Sequence, residues 1–293
     1  RTGPQKKITH VVLISIDTCR ADHLGCYGYL RKTSPNIDAV AAEGIMFKHA
    51  VTSVPITLPA HSSMLTGTIP IYHGVRDNNN YQLSDSSLTV AEILHQYKFV
   101  TGAVIGAFVL DSQFGLDQGF DFYDDKIDPG EKKFFIYSER KAEEVTRLAN
   151  IWLEENKNKK SFLFLHYFDP HSPYESHERF RFGSGFDPNS QIDGYDSEIA
   201  YTDYCIGQVI DKLKELSLYD STLLIITADH GEGLGQHNEI SHGFFIYYST
   251  LHVPLIIKIP TGPKGKQINN LVALIDILPT ICDSLGIDVP KHI

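Results

Sequence analysis

The sequence has 293 residues, a length that favours one large α/β domain over two smaller domains. Its 36 acidic residues outnumber 26 Lys and Arg residues. The formal net charge of −10 argues against a nucleic-acid partner, because no basic surface is available to neutralise phosphates. No run of about 18 apolar residues is present, so no membrane span is predicted. An anionic substrate would need a local positive group, most simply a metal ion.

Hydrophobic patterning predicts strands and helices that alternate along the chain. Continuous branched apolar runs indicate strands buried on both faces, whereas apolar residues spaced three and four apart indicate amphipathic helices. In chain order, the predicted elements are strand His10–Ile16, helix Ser34–Gly44, helix Leu58–Leu65 beginning near Thr57, helix Leu88–Gln96, strand Phe99–Ile105, helix Glu139–Glu155, strand Ser161–Phe168, helix Ile199–Leu216, strand Ser221–Ala228, strand His252–Ile259 and helix Leu274–Leu285. This order predicts a largely parallel sheet covered by helices on both faces. The polar segment His177–Asp196 is predicted to be a long surface loop.

Polar side chains directly follow three of the predicted strands. Asp17 follows the first, Asp169 and His171 follow Ser161–Phe168, and the pair Asp229-His230 follows Ser221–Ala228. Ligands of open α/β sheets bind at the carboxyl ends of the strands, so these distant residues are expected to meet at one edge. Two carboxylates and an imidazole suit a divalent cation, although a cap or turn is the alternative for each residue alone.

The segment TLPAHSSMLTG (57–67) places a hydroxyl at the start of a predicted helix. Ordinary helix capping by Thr57 is one interpretation. In the functional interpretation, the helix N-terminus presents free N–H groups to an anion while the Thr57 hydroxyl binds a metal ion. Coordination would lower the pKa of that hydroxyl and make it a nucleophile at neutral pH.

Together these motifs resemble the sulfatase family of the alkaline-phosphatase-like superfamily, from about residue 8 to 287. ISIDTCRADHLGCYGY (14–29) is similar to the first metal-binding strand and turn of the family, and TLPAHSSMLTG fits the signature Cys-x-Pro-Ser-Arg followed by Leu-Thr-Gly. Further matches in order are HGVRDN (73–78), FGLDQGFDFY (114–123), HYFDPHSPY (166–174), TADHGEGLGQH (227–237) and VPLII (253–257).

The resemblance implies an α/β fold, an alkaline-phosphatase-like three-layer sandwich with a mostly parallel central sheet. It implies a single sulfatase-like catalytic domain over residues 1–293. Relatives usually continue beyond the point where this sequence stops, so a C-terminally truncated chain is expected. The family also favours a location outside the cytoplasm, extracytoplasmic or periplasmic.

Departures from the family pattern favour phosphate over sulfate esters. Thr57 stands where sulfatases carry a Cys that is oxidised to formylglycine, and a threonine cannot undergo that conversion. It resembles instead the Thr or Ser nucleophile of phosphodiesterases and phosphatases of the superfamily. His61 stands at the signature Arg, and Thr18 at the second of two paired Asp residues. Asp229-His230 is similar to phosphoester-cleaving relatives rather than to the Asp-Asn common in sulfatases.

The resemblance also implies roles for these residues. One divalent metal ion (Mn, Zn, Mg or Ca) is expected on Asp17, Thr57, Asp229 and His230. Thr57 would attack phosphorus to form a phospho-threonine, and His171 would be the general acid on the leaving oxygen. His242 and His61 are candidates to act on the non-bridging oxygens, and Asn78 is a candidate to donate to a substrate oxygen.

Three functions remain open from the sequence. The first is a metal-dependent hydrolase of phosphate diesters or monoesters, acting on a small-molecule, glycan or lipid-headgroup ester. The second is a sulfate-ester hydrolase that works through Thr57 without formylglycine, and the third is a catalytically silent binding module. No residue set for a second metal ion can be assembled, and His166 and His237 are interpreted as structural. The oligomeric state is not predicted.

Overall fold

The computed structural model describes residues 7–127, 139–183, 185–187 and 190–291. In these residues nine strands form one sheet. They are β1 His10–Ile16, β2 Ile45–Val51, β3 Val100–Val104, β4 Phe122–Asp124, β5 Ser161–Tyr167, β6 Thr222–Ala228, β7 His252–Val253, β8 Leu255–Lys258 and β9 Lys266–Ala273. Their order across the sheet is β4-β3-β5-β1-β6-β8-β2-β7, with β9 paired to β2. Within this sheet only β7 and β8 run antiparallel to their neighbours, which confirms the prediction of a mostly parallel sheet.

Helices cover both faces of the sheet. They are α1 Pro35–Glu43, α2 Thr57–Thr66, α3 Pro70–His73, α4 Val90–Gln96, α5 Ala142–Asn156, α6 Gln191–Glu215, α7 Tyr248–Leu251 and α8 Ile277–Leu285. Successive residues of β5 show the two faces, because side chains alternate along a strand. The ring of His166 packs against His61 of α2, whereas the hydroxyl of Tyr167 bonds with Thr146 of α5 at 2.9 Å. The three-layer sandwich expected from the resemblance is therefore confirmed.

The three strands β1, β5 and β6 form the centre of the core, and every residue in them is buried. β1 pairs in parallel with β5 on one side and with β6 on the other. Branched apolar residues suit this position because helices cover both surfaces of the sheet and leave no face for water. The carboxyl ends of the three strands consequently lie side by side.

The sequence analysis did not predict three of the strands, and one predicted strand is divided into two. β2, β4 and β9 are partly exposed and lack a continuous apolar run. The predicted strand His252–Ile259 is interrupted at Pro254, which has no N–H to continue the hydrogen-bond ladder. The carbonyl of Pro254 accepts a hydrogen bond from the hydroxyl of Thr227 at 2.7 Å instead.

The predicted surface loop His177–Asp196 is wrong at its carboxyl end, where α6 already begins at Gln191. The Ser190 side chain accepts from the N–H of Asp193 and caps this helix. Asp196 is fully buried and accepts from His23 at 2.7 Å, so a polar residue points inward here. Positions 184, 188 and 189 of the predicted loop lie outside the described residues.

Gly102 in β3 allows a close approach between the sheet and α5. A Cβ atom at this position would overlap the indole ring of Trp152, which is itself buried. We expect Gly102→Ala to lower the free energy of unfolding by about 1–3 kcal/mol, because the packed ring must move. Urea denaturation measures the difference. Gly185→Ala, which meets no neighbouring atom, is the control and should change stability by less than about 0.5 kcal/mol; equal effects would contradict the packing explanation.

Candidate active site

Three of the predicted metal ligands converge at the carboxyl edge of the sheet. Asp17 and Asp229 directly follow β1 and β6, whose last residues Ile16 and Ala228 are partners in the sheet. Both carboxylates and the imidazole of His230 are fully buried, and one ligand atom from each lies within 4.8 Å of the others. The register of two parallel strands therefore brings together residues that are more than 200 positions apart.

His230 presents a free lone pair to the other two groups. Its Nδ1 lies 2.9 Å from the carbonyl oxygen of Gly231, and a carbonyl only accepts, so Nδ1 carries the ring proton. Nε2 then faces Asp229 Oδ2 at 3.3 Å and Asp17 Oδ1 at 3.9 Å. Burial is the main reason that the pKa of His230 is lowered well below its ordinary value, so the ring is neutral at neutral pH.

Three buried carboxylate oxygens at this edge lack hydrogen-bond partners. Both oxygens of Asp17 and Oδ2 of Asp229 have no hydrogen-bond partner within the described ranges. Burial, and secondly the nearby charge of Asp17, raises the pKa of Asp229 well above its usual value. Unpaired carboxylates in a dry interior are costly, and a divalent cation would compensate them. Carboxylate oxygens with an imidazole nitrogen are a donor set that fits such an ion.

Thr57 lies beside this cluster as the first residue of α2. The N-cap residue is Ile56, whose side chain makes no capping hydrogen bond, and the Thr57 hydroxyl is not a cap either, so the capping interpretation of Thr57 does not apply. Its Oγ1 lies 3.3 Å from Nε2 of His230 instead. Thr57 is 3% exposed, and the first helical turn keeps few free N–H groups, because Leu58 donates to Asn78, Ala60 donates to Ile56 and Pro59 has no N–H.

Asn78 and His61 hold the start of α2 in place. The carboxamide oxygen of Asn78 accepts from the N–H of Leu58 at 2.8 Å, which leaves its NH₂ group for other acceptors. Nδ1 of His61 lies 2.8 Å from the carbonyl oxygen of Thr57 and must donate to it, so Nε2 accepts from the hydroxyl of Ser15 at 2.9 Å. Both nitrogens of the fully buried His61 are therefore engaged. Burial, with a contribution from a neighbouring histidine, lowers the pKa of His61 to about 3.

Two further histidines form a row of rings that leads outward from His230. The ring of His242 lies 4.3 Å from that of His230 and 5.2 Å from that of His171, which stacks on Phe168 at 4.5 Å. Nδ1 of His171 is 2.6 Å from the carbonyl oxygen of Ser172 and carries the proton, so its Nε2 is free. The row links the predicted general acid to the metal-site cluster.

Glu232 is a residue that the sequence did not single out. Its fully buried carboxylate lies 3.3 Å from Nδ1 of His242. Burial alone would lower the pKa of His242, but the bond with Glu232 outweighs it and raises that pKa. The buried guanidinium of Arg20 donates to the backbone carbonyl of Glu232 at 3.1 Å and to Asp22. The acidic residue at the end of the turn Asp-His-Gly-Glu could have suggested an ion pair with a histidine farther along the chain. The sequence does not show which histidine that is.

Two other residues named from the sequence lie outside the cluster. Asp169 is 6% exposed, and burial followed by the charge of Glu198 raises its pKa well above the usual value. His237 adopts a left-handed backbone conformation and stacks on Tyr247 with ring centroids 4.3 Å apart. A concavity of about 580 Å³ lies at the amino edge of the sheet, lined in part by Lys160, but no cluster of metal-ligating side chains is found there in the described part of the chain.

The fold is a three-layer α/β sandwich, and the carboxyl edge of its sheet places a hydroxyl at a helix N-terminus beside paired carboxylates. The family profile described as Sulfatase matches residues 9–287, and the chain belongs to the sulfatase family. Among the residues that the structure describes, no helix has the length and apolar character needed to cross a membrane.

Several characterised proteins are similar to this chain. It is 27% identical to the ulvan-active sulfatase of Formosa agariphila over 97% of this chain and 63% of that protein. It is 24% identical to the N-sulphoglucosamine sulphohydrolase of Homo sapiens over 92% of this chain and 59% of that protein. The chain thus spans less than two thirds of the length of either relative. The phosphonate monoester hydrolase of Agrobacterium radiobacter shares the fold, with a TM-score of 0.80 at 20% identity over 96% of this chain and 74% of that one.

Proposed function

We propose that this chain is a metal-dependent hydrolase of phosphate esters, diesters or monoesters, with Thr57 as the nucleophile. The observation that carries the proposal is the position of the Thr57 hydroxyl, 3.3 Å from a neutral imidazole nitrogen and beside two buried carboxylates that have three oxygens without hydrogen-bond partners. A hydroxyl that caps no helix and contacts the cluster is free to act as a nucleophile. Family membership supports the hydrolysis of sulfuric or phosphoric esters.

The ion would be held by Asp17, Asp229, His230 and the oxygen of Thr57. When bound, it supplies Lewis acidity, which lowers the pKa of the hydroxyl and neutralises developing negative charge. The chain itself contributes the orientation of the ligands. Two N–H groups, those of Thr18 and His230, hold Oδ1 of Asp229 at 3.2 and 2.8 Å, so Oδ2 is directed into the cluster.

The reaction then proceeds in two displacements. In the first, the Thr57 hydroxyl gives its proton to solvent and its oxygen bonds to phosphorus, while the bond from phosphorus to the leaving oxygen breaks and the proton on Nε2 of the doubly protonated His171 passes to that leaving oxygen. In the second, a water molecule gives a proton to Nε2 of His171 and its oxygen bonds to phosphorus, while the bond from phosphorus to the Thr57 oxygen breaks; the phosphate leaves, and the Thr57 oxygen takes up a proton from solvent. His171 is suited to both steps because its Nδ1 is fixed by a backbone carbonyl and its Nε2 is free.

Two side chains are assigned to the non-bridging oxygens of the substrate. His242 lies between His171 and His230, and its bond with Glu232 favours a positive charge on the ring. Asn78 contributes its NH₂ group, since its oxygen is already bound to α2. His61 has no free nitrogen, so we assign it to the support of α2 rather than to substrate contact.

A leaving-group series tests the role of His171. Replacement with glutamine is expected to slow hydrolysis of esters with alkoxide leaving groups by about 10²- to 10⁴-fold, because these leaving groups need a proton. Hydrolysis of 4-nitrophenyl esters should change by less than about tenfold, since that leaving group departs as an anion. The control is His237→Gln, whose ring lies outside the cluster. Equal losses with both leaving groups would exclude His171 as the general acid.

A sulfate-ester hydrolase is the second candidate, because two of the relatives described above are named as a sulfatase and a sulphohydrolase. We infer a glycan ester as substrate in either case, on the strength of the ulvan-active relative. Turnover of 4-nitrophenyl phosphate diesters, monoesters and sulfate by the metal-loaded protein separates the candidates. Phosphate-ester turnover supports the proposal, and sulfate turnover alone would replace it by the second candidate. Bound metal without turnover of any ester would indicate a silent binding module.

A further inference from the structure

His166 is the remaining polar side chain that faces the cluster. It occupies the sixth position of β5, where it pairs with Ser15 of β1. Side chains two positions apart point to the same face of a strand, so His166 and Ser15 share a face with Asp17. Nε2 of His166 lies 3.3 Å from Oδ2 of Asp17. The ring is fully buried, and neither nitrogen has a hydrogen-bond partner in the parts of the chain that the structure describes.

An unpaired imidazole in a dry interior needs an explanation. A neutral ring carries one donor and one acceptor, and leaving such groups unsatisfied costs about 1–3 kcal/mol each. The neighbouring Thr18 does not satisfy them, because its hydroxyl donates to the carbonyl of Pro170 at 2.9 Å. Asp17 contacts Nε2 at 3.3 Å, but this contact leaves Nδ1 of His166 and Oδ1 of Asp17 without a hydrogen-bond partner. A buried imidazole and a buried carboxylate in this position can share one ligand.

Three separations within the cluster match those between atoms that share one ion. Ligand atoms about 2.1 Å from a common ion, at angles of about 90–110°, lie about 3.0–3.4 Å apart. The contact from His166 to Asp17 is 3.3 Å, as are the contacts from His230 to Asp229 and to Thr57. His61 also lies near Asp229, at 3.7 Å, but both its nitrogens are engaged in hydrogen bonds.

We propose that His166 is a second nitrogen ligand of the ion, and that the resulting pair of imidazoles selects zinc over calcium and magnesium. The proposal rests on the metal-dependent function proposed above. Calcium and magnesium prefer oxygen ligands throughout, whereas imidazole nitrogen is a preferred ligand of zinc. Asp17, Asp229, His230 and Thr57 then supply the other donor atoms.

Metal selection and nitrogen counting test this assignment without measuring activity. The apo protein is dialysed against equimolar zinc with a 100-fold excess of calcium and magnesium, and bound metal is quantified by elemental analysis. A copper-loaded sample is examined by pulsed electron paramagnetic resonance, which counts coupled imidazoles. The wild type is expected to retain one zinc per chain and to show two imidazoles. Calcium or magnesium in the site, or a single imidazole, would overturn the proposal.

The variant His166→Phe keeps the ring volume and removes both nitrogens. It should show one imidazole and bind zinc about 100-fold more weakly, with calcium affinity changed by less than about threefold. His10→Phe is the control, because His10 is a buried histidine at the opposite end of β1 that bonds with Ser161. An unchanged imidazole count in His166→Phe would contradict the assignment. If that variant does not fold, the wild-type metal content and spectrum decide alone.

Ester turnover gives an independent outcome. Zinc bound through two imidazoles without hydrolysis of any ester would disprove the proposed function and leave the role of His166 intact. Ester hydrolysis by a protein whose spectrum shows one imidazole would support the proposed function and disprove the role of His166 as a metal ligand.

Discussion

Thr57→Ala is expected to lower kcat/KM for phosphate esters by about 10⁴-fold or more. Removal of the attacking oxygen leaves only binding and electrostatic stabilisation to accelerate the reaction. At a saturating metal concentration the metal content should remain close to that of the wild type, because the ligands Asp17, Asp229 and His230 are unchanged. Steady-state kinetics together with elemental analysis of the same sample measure both quantities, and the second shows that loss of activity is not loss of the ion.

Thr57→Ser is the matched control for this experiment. It keeps the hydroxyl and removes only a methyl group, so turnover should stay within about tenfold of the wild type. Rapid quenching with a diester labelled at phosphorus should trap the labelled phosphoryl group, with its remaining ester, on residue 57 in the wild type and in Thr57→Ser, but not in Thr57→Ala. If Thr57→Ala keeps activity within tenfold, the nucleophile is another group or water, and the two-displacement scheme is wrong.

Asp229→Asn is expected to abolish turnover and yet to stabilise the metal-free protein. At neutral pH the buried carboxylate of Asp229 is costly without a cation, as its raised pKa indicates, and asparagine carries no charge. The carboxamide oxygen can keep the hydrogen bonds from Thr18 and His230. We expect the free energy of unfolding of the apo variant to exceed that of the apo wild type by about 1–3 kcal/mol. Chemical denaturation with a chelator present measures this difference.

Addition of metal should make the wild type more stable to unfolding than Asp229→Asn. A ligand that binds the folded state stabilises it by RT ln(1 + [L]/Kd), and only the wild type retains full affinity. Asp85→Asn, an exposed acid distant from the cluster in sequence, is the control for the loss of one charge and should change neither value by more than about 0.5 kcal/mol. An apo variant less stable than the apo wild type would show that these carboxylates do not strain the metal-free fold.

The residues that follow buried strands were accessible from the sequence. Asp17, Asp229 and His230 each stand where a continuous apolar run ends, and parallel strands end at one edge of a sheet. Hydrophobic periodicity was not sufficient to predict that Thr57 lies at that edge, because it does not show which helix begins there. There the resemblance to a family supplied what periodicity lacked.

Other features depend on contacts between distant residues. The partly exposed strands β2 and β9 pair in parallel with each other and carry no buried run, so their patterns resemble those of loops. His166 lies in an apolar strand and was interpreted as structural, because only the register with β1 shows that it faces Asp17. His61 was a candidate for substrate contact, but the hydroxyl of Ser15 and the carbonyl of Thr57 occupy its ring.

The bridge made by His61 has a mechanical consequence. Its ring ties the carbonyl of Thr57 to the Ser15 side chain, and Asp17 follows Ser15 by two residues. The imidazole of His61 thus connects the segment that carries the attacking oxygen of Thr57 to the segment that carries the carboxylate of Asp17, and we expect the two segments to move together. Little orientational entropy is then left to be lost when the reacting atoms align, which is one way a hydrolase gains rate before any bond changes.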